Sequence, residues 1–222
     1  LELIERLLPH PGEGNAPPFR NADNTPIAVS GAADDHVIAD VFKIVNDPFV
    51  GKLGIFRVWQ GTVRRDSQLF VDDVHKPFKV GHLFRMNAKA HEEIEHAIPG
   101  DIAAVAKVED IHFDAVLHDS HDEDRIHLAP LRFPQPMFGL ALEPKHKGQE
   151  QKLSLALARL AEEDPCLRVE HHKELNETVV RGLSDLHLKT VLERMKERYG
   201  VEVTTHPPRI AYRETIAAPA EG

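Results

Sequence analysis

The feature that most constrains this chain is a change of rhythm at Pro130–Pro136. From about Val37 to Leu128 the apolar residues come in short runs rich in Val, Ile and Phe: Val37–Val45, Gly54–Trp59, Gln68–Val71, Phe78–Met86, Ile102–Val105 and Ala115–Leu117. Between them stand the turn formers Asn46-Asp-Pro, Gln60-Gly, Asp72-Asp, Pro99-Gly-Asp and Glu109-Asp. Six or more short strands with turns between them predict a closed β-barrel rather than an open sheet. Phe78–Met86 alternates, with Phe78, Val80, His82, Phe84 and Met86 expected on one face.

After Pro136 the period lengthens. Met137–Leu142 reads as a strand, and Gly148–Asp164 as a helix with Leu153, Ala156, Leu157 and Leu160 on one side, stopped at Pro165. Leu167–His171 and Thr178–Arg181 read as strands joined by a polar turn. Ser184 is placed to cap a second helix with Leu188, Val191, Leu192, Met195 and Tyr199 inward, and Gly200 to end it. Val201–Thr205 follows as a last strand. The order β-α-β-β-α-β is the split β-α-β, or ferredoxin-like, arrangement. The expected class is therefore mainly β plus α+β.

The first residues read differently. Leu1, Ile4, Leu7 and Leu8 are helically spaced before Pro9 and Pro11, and so short a stripe implies an element whose partner lies elsewhere. Together with a first residue that is not Met, it suggests an excised fragment, expected to be monomeric. Residues 12–26, with three prolines and two glycines, read as a linker. No apolar run approaches the roughly 18 residues that span a bilayer, and the start is not a signal peptide, so a cytoplasmic chain without a membrane partner is expected. One cysteine excludes a disulfide scaffold. A net charge of −9 repels nucleic acid on average, so any RNA contact needs a local patch.

Four groups of residues could carry chemistry. Asp47-Pro-Phe-Val-Gly-Lys-Leu53 is nearest to a phosphate-cradling loop, but Asn46 stands where a glycine is needed and Leu53 where a magnesium-binding hydroxyl should be. It reads as a β-turn. His118, His121 and His127, among four acids, have ligand types suited to zinc or manganese but no recognised spacing, so a solvated acidic loop is the simpler reading and a metal-dependent enzyme the alternative. Cys166 and His187 are imaginable as nucleophile and base, but Cys166 follows a helix end, where the dipole does not favour a thiolate. No catalytic residue is assigned. Lys145 and Lys147 lie near the first helix, and Lys189 and Arg194 on the second, as candidate RNA contacts among interleaved glutamates.

Several long motifs in register resemble translation elongation factor G. They are Val41-Phe-Lys-Ile-Val-Asn-Asp-Pro-Phe-Val-Gly-Lys-Leu53, Phe56-Arg-Val-Trp-Gln-Gly61, Glu92-Glu-Ile with Pro99-Gly-Asp-Ile-Ala-Ala-Val105, Leu157-Ala-Arg-Leu-Ala-Glu-Glu-Asp-Pro165, Arg181-Gly-Leu-Ser-Asp-Leu-His-Leu188 and Ala211-Tyr-Arg-Glu-Thr-Ile216. The resemblance implies that residues 1–27 are the end of a GTPase domain and a linker, 28–129 the domain II barrel, 130–216 the ferredoxin-like domain III, and 217–222 a tail. It further implies a parent that hydrolyses GTP, with magnesium, in its missing N-terminal domain. Expected partners are that GTPase domain and the ribosome, both ribosomal RNA and small-subunit proteins, with no cofactor held by this segment itself and a hinge at Pro130–Pro136.

In that family the residue at His187 lies in the pocket between domain III and the GTPase domain where fusidic acid binds, and Asp164, Cys166 and Leu186 match other pocket-lining positions. A neutral imidazole is expected there, partly exposed, without a buried acidic partner, donating one hydrogen bond and accepting another across the gap, the alternative being a capping-turn His with a purely local role. The sequence departs from the family at Leu183, Ser184, Asp185 and Lys189, at Cys166 in place of Thr, and over Asp110–His127. These departures leave open a non-translocating ribosome-associated paralogue, and Cys166 predicts a weaker antibiotic response.

Overall fold

The structure is a computed structural model that describes residues 2–8, 17–87, 90–121 and 125–210. The motif at 211–216 and the tail at 217–222 lie outside these. The chain divides between Arg132 and Phe133 into two compact units.

The first unit opens with helix α1 (Glu2–Leu7), whose Leu3, Ile4 and Leu7 are all exposed. Strands β1 (Phe19–Arg20), β2 (Ile38–Asp47), β3 (Gly51–Gln60), β4 (Val63–Arg64), β5 (Gln68–Val71) and β6 (Phe78–Lys79) follow. Then come β7 (Leu83–Asn87), β8 (Ala90–Glu93), β9 (His96–Ala97), β10 (Ile102–Ala106), β11 (Val116–His118) and β12 (His127–Leu128). Eight of them form a curled antiparallel sheet in the order β6-β5-β11-β2-β3-β10-β7-β8. Val41, Phe56, Val58, Leu69, Val71, Leu83, Val105 and Leu117 fill its interior. Gly61 follows β3 with φ +72°, and a Cβ there would stand 2.6 Å from the Val37 backbone, so only glycine turns the chain this closely.

Two expectations are corrected. Phe78–Met86 is not one alternating strand. It breaks at Gly81–His82 because β6 is an edge strand paired with β5 while β7 lies between β10 and β8, so the chain must cross from one side of the sheet to the other. His82 is exposed and Leu83 is buried, against the expected alternation. The stretch read as a linker is not bare chain either. Phe19 pairs with Leu128 and Arg20 with His127, and Asn21 Oδ1 accepts the Asp23 and Thr25 amides at 3.1 and 2.9 Å. Phe19 is 0% exposed, packed with Ile38, Trp59, Val116, Ile126 and Leu128 on the outside of the sheet. Proline and glycine here shape a strap over an apolar outer face.

The second unit contains β13 (Phe138–Pro144), α2 (Glu150–Glu163), β14 (Arg168–His172), β15 (Glu177–Gly182), α3 (Asp185–Tyr199) and β16 (Val203–His206). Its antiparallel sheet has the order β14-β15-β13-β16, the ferredoxin-like arrangement. Leu153, Ala156, Leu157 and Leu160 of α2 and Leu188, Val191 and Met195 of α3 pack on Leu142 and Val180. Both ends of α3 are as the sequence predicts. Ser184 Oγ accepts the His187 amide at 3.2 Å, and Gly200, at φ 58°, returns its N–H to the Lys196 carbonyl.

Phe19→Ala is expected to lower the stability of the first unit by about 3 kcal/mol, the cost of emptying a buried aromatic site. Chemical denaturation monitored at Trp59 measures it; a loss below about 0.5 kcal/mol, the range of surface substitutions, would show that the strap does not belong to the barrel's folding unit.

Candidate functional site

The richest polar geometry of the second unit lies where α2 ends and α3 begins. Asp164 leaves α2 in an extended conformation (φ −132°, ψ 103°), as a residue before proline must. Its Oδ1 accepts the Cys166 amide at 2.9 Å and its carbonyl accepts the Leu167 amide at 3.0 Å, which turns the chain into β14. The other carboxylate oxygen, Oδ2, is 2.8 Å from His187 Nε2. On the far side of the ring, Nδ1 is 3.0 Å from the Leu183 backbone nitrogen.

These contacts assign the tautomer. A backbone N–H can only donate, so Nδ1 accepts, the ring hydrogen sits on Nε2, and Nε2–H donates to Asp164. The imidazole is thus pinned between the two ends of the helix pair. The expectation of a ring without a buried acidic partner is corrected: Asp164, itself half-buried, is that partner, brought across by the Asp-Pro turn. The ring has no nitrogen left for a hydrogen bond across a gap. Nothing local in the sequence signals this pairing, because the residues stand 23 apart. Gly182 is a clue that sequence reasoning passed over. A Cβ at Gly182 would lie 2.7 Å from Leu188 Cδ2 and 2.9 Å from His187 Nδ1, so the ring occupies space that only glycine leaves.

The surface presented outward is apolar. Leu186, in the first turn of α3, is 72% exposed and Leu183 43%. Cys166 is buried, and burial first, then the charge of Asp164, pushes its thiol up, so it is a poor nucleophile at neutral pH. Both carboxylate oxygens of Asp164 and both nitrogens of the His187 ring are already engaged.

The remaining sequence candidates do not converge. Lys145 and Lys196 both pair with Glu202, at 2.9 and 2.8 Å, and hold its carboxyl down to about 2. Lys189 pairs with Asp185 one turn away. Lys147 and Arg194 are exposed and make no ion pair with the described residues. His118 is corrected from a solvated loop to a wholly buried residue of β11. Its Nδ1 and Nε2 lie 2.8 and 2.6 Å from the Ser120 and Asp72 carbonyls, and its ring stacks on Phe70. His121 packs on the same phenyl ring, while His127 faces Asn24 of the strap. Among the described residues no three His, Cys, Asp or Glu side chains come together as a metal set. The Asp47 turn joins β2 to β3. Asp47 Oδ1 accepts the Phe49 and Val50 amides at 2.8 Å, so the hydrogen bonds of the tip are turned inward on its own carboxylate. The Val50 amide bond lowers that carboxyl despite some burial.

Comparison with known proteins yields two family matches. Residues 37–118 match the model of elongation factor G domain 2, and residues 133–207 that of elongation factor G domain III. A solved structure of a Thermus thermophilus protein is similar to the chain at 31% identity and a TM-score of 0.73. The match covers 94% of this chain and 29% of that one, so the chain spans under a third of the length of that protein.

Gly182→Ala is expected to cost about 1–3 kcal/mol, the usual cost of overpacking a filled site, and to release the His187 ring from Asp164. Thermal unfolding together with the amide shift of Leu183 measures both. An unchanged melting temperature with an unchanged Leu183 shift would show that the ring does not occupy that space.

Proposed function

Since the chain belongs to the elongation factor G family and carries its domains II and III, we propose that it is the central segment of a ribosome-dependent GTPase that works in the cytoplasm in protein synthesis. The observation that supports this most is the pair of family domains in sequence order, over 37–118 and 133–207. GTP and magnesium belong to another domain of the parent, because the one loop of this segment that approaches a phosphate cradle lacks its glycine and hydroxyl. The segment itself is not the enzyme.

Its part is coupling. Domain III lies between the GTPase domain and the small ribosomal subunit, and loss of the γ-phosphate repositions it, as an element with two discrete arrangements can be. Leu183, Leu186 and the carbon edge of His187 meet the GTPase domain of the same chain. Asp164, Cys166, Leu186 and His187 line the antibiotic pocket formed there. With both ring nitrogens engaged, recognition at this surface is by apolar contact. Lys147 and Arg194 reach ribosomal RNA directly, whereas Lys145 and Lys189 must first give up Glu202 and Asp185. The departures at Leu183, Ser184, Asp185 and Cys166 support a paralogue as a second reading, one that binds the ribosome and hydrolyses GTP without moving tRNA and mRNA.

The full-length parent is expected to co-sediment with ribosomes and to hydrolyse GTP faster in their presence. Leu186→Asp is expected to reduce the stimulated rate about tenfold or more, the equivalent of an interface anchor of ~1.4 kcal/mol. Absence of both co-sedimentation and stimulation overturns the reading; full stimulation in Leu186→Asp overturns the docking role of that residue. A single-round assay of mRNA movement separates the translocase from the paralogue.

A further inference from the structure

A sheet with two helices on one face leaves the other face to be covered. Side chains alternate along a strand. Leu140, Leu142 and Val180 pack with the helices, so Ala141, Val179, Glu177 and Arg181 are on the opposite face. Among the described residues of this unit no helix lies there, yet Ala141 and Val179 are both 0% exposed. The chain that follows β16 returns across this face. A Cβ on Gly139 would stand 3.5 Å from the Pro208 ring. The Arg209 amide donates to Glu177 Oε2 and its Nε donates to Oε1, both at 3.1 Å, and its terminal NH2 donates to the Leu175 carbonyl at 3.3 Å.

Glu177 is buried to 1% side-chain exposure, and a buried carboxylate needs a partner. Burial pushes its carboxyl up, but the Arg209 amide and guanidinium, with His206 3.7 Å away, outweigh this and hold it below the usual range. Of the other charged groups on this face, Arg168 is exposed and stands opposite Arg181 in register, four residues along β15 from Glu177, and the rest are occupied. His206 also faces Glu143 at 3.5 Å, Glu170 holds Arg181 at 3.0 Å, and His172, opposite Glu177 in register, leans on Glu170. Arg209 is therefore the cation committed to Glu177. Pro207–Ile210 pairs with no strand, and it is held by the amide and guanidinium of Arg209, by His206 Nδ1 on the Pro207 carbonyl at 3.0 Å and by Pro208 over Gly139. Arg209 also lies beyond residue 207, where the match to the domain III model ends.

We propose that Pro207–Ile210 is a releasable strap that closes the open face of the domain III sheet, with the Arg209–Glu177 fork as its latch. Closed, it fixes the direction in which the chain leaves the sheet and keeps the Ala141–Val179 strip from solvent. Released, it uncovers an apolar strip with an acidic edge.

The test uses the 222-residue chain with labelled valine methyls and a soluble nitroxide as the probe, and needs no ribosome, so its outcome is independent of the proposed function. In Arg209→Met or Glu177→Gln the Val179 methyls are expected to relax several-fold faster, while Val180 and Val191 on the helix side stay shielded. Arg209→Lys, which keeps the charge and the backbone amide bond but loses the Nε bond and the bond to the Leu175 carbonyl, is expected to lie between. Val179 still shielded in both variants, or Val179 and Val180 exposed together in both, overturns the proposal.

Discussion

The hydrogen bond from His187 Nε2 to Asp164 Oδ2 carries the architecture of the second unit's candidate site, because it joins two chain segments that the ferredoxin-like order keeps apart. Asp164 does three things at once: its extended backbone ends α2, and its carboxylate turns the chain at Cys166 and receives the imidazole. The ring then accepts the Leu183 amide, whose residue is the last before the cap of α3. Gly182 leaves the volume for the ring, and Ser184 satisfies the amide of His187 itself. Remove any one of these and a buried or half-buried polar group loses its partner, which costs more than the mean value of a hydrogen bond. The outcome is a polar scaffold that presents apolar Leu183 and Leu186 outward.

That scaffold explains a division of labour. Groups that could do chemistry, the thiol of Cys166 and the imidazole of His187, are respectively buried and engaged on both nitrogens. A surface built this way favours recognition by shape and apolar area over proton transfer, in keeping with the coupling role proposed above. In the barrel the organising constraint is coverage. The curled sheet has an apolar outer patch around Trp59, and the Phe19 strap covers it.

Much of this was legible in the residues themselves. Ser184 and Gly200 bracket α3 because capping is local chemistry, and β2, β3, β5 and β10 stand out because their apolar runs are dense. Strand β8 was not legible, since all four of its residues are exposed and carry no apolar signal. Phe19 was hidden by neighbouring prolines and glycines that usually mark bare linkers. The burial of His118 is not legible because acidic neighbours in sequence suggest solvent, whereas β11 pairs with both β2 and β5 and the ring is covered by Phe70 on the face opposite Leu117. The His187–Asp164 pair and the Glu177–Arg209 latch depend on tertiary closure over 23 and 32 residues, which no local pattern encodes.

The protonation pattern of the His187 ring tests this most directly. Long-range proton–nitrogen correlation at neutral pH is expected to show a hydrogen on Nε2, none on Nδ1, and a coupling from the Leu183 amide to Nδ1 across the hydrogen bond. A hydrogen on Nδ1 would contradict it, because the Leu183 amide would then have no acceptor and the ring could not bridge the ends of α2 and α3.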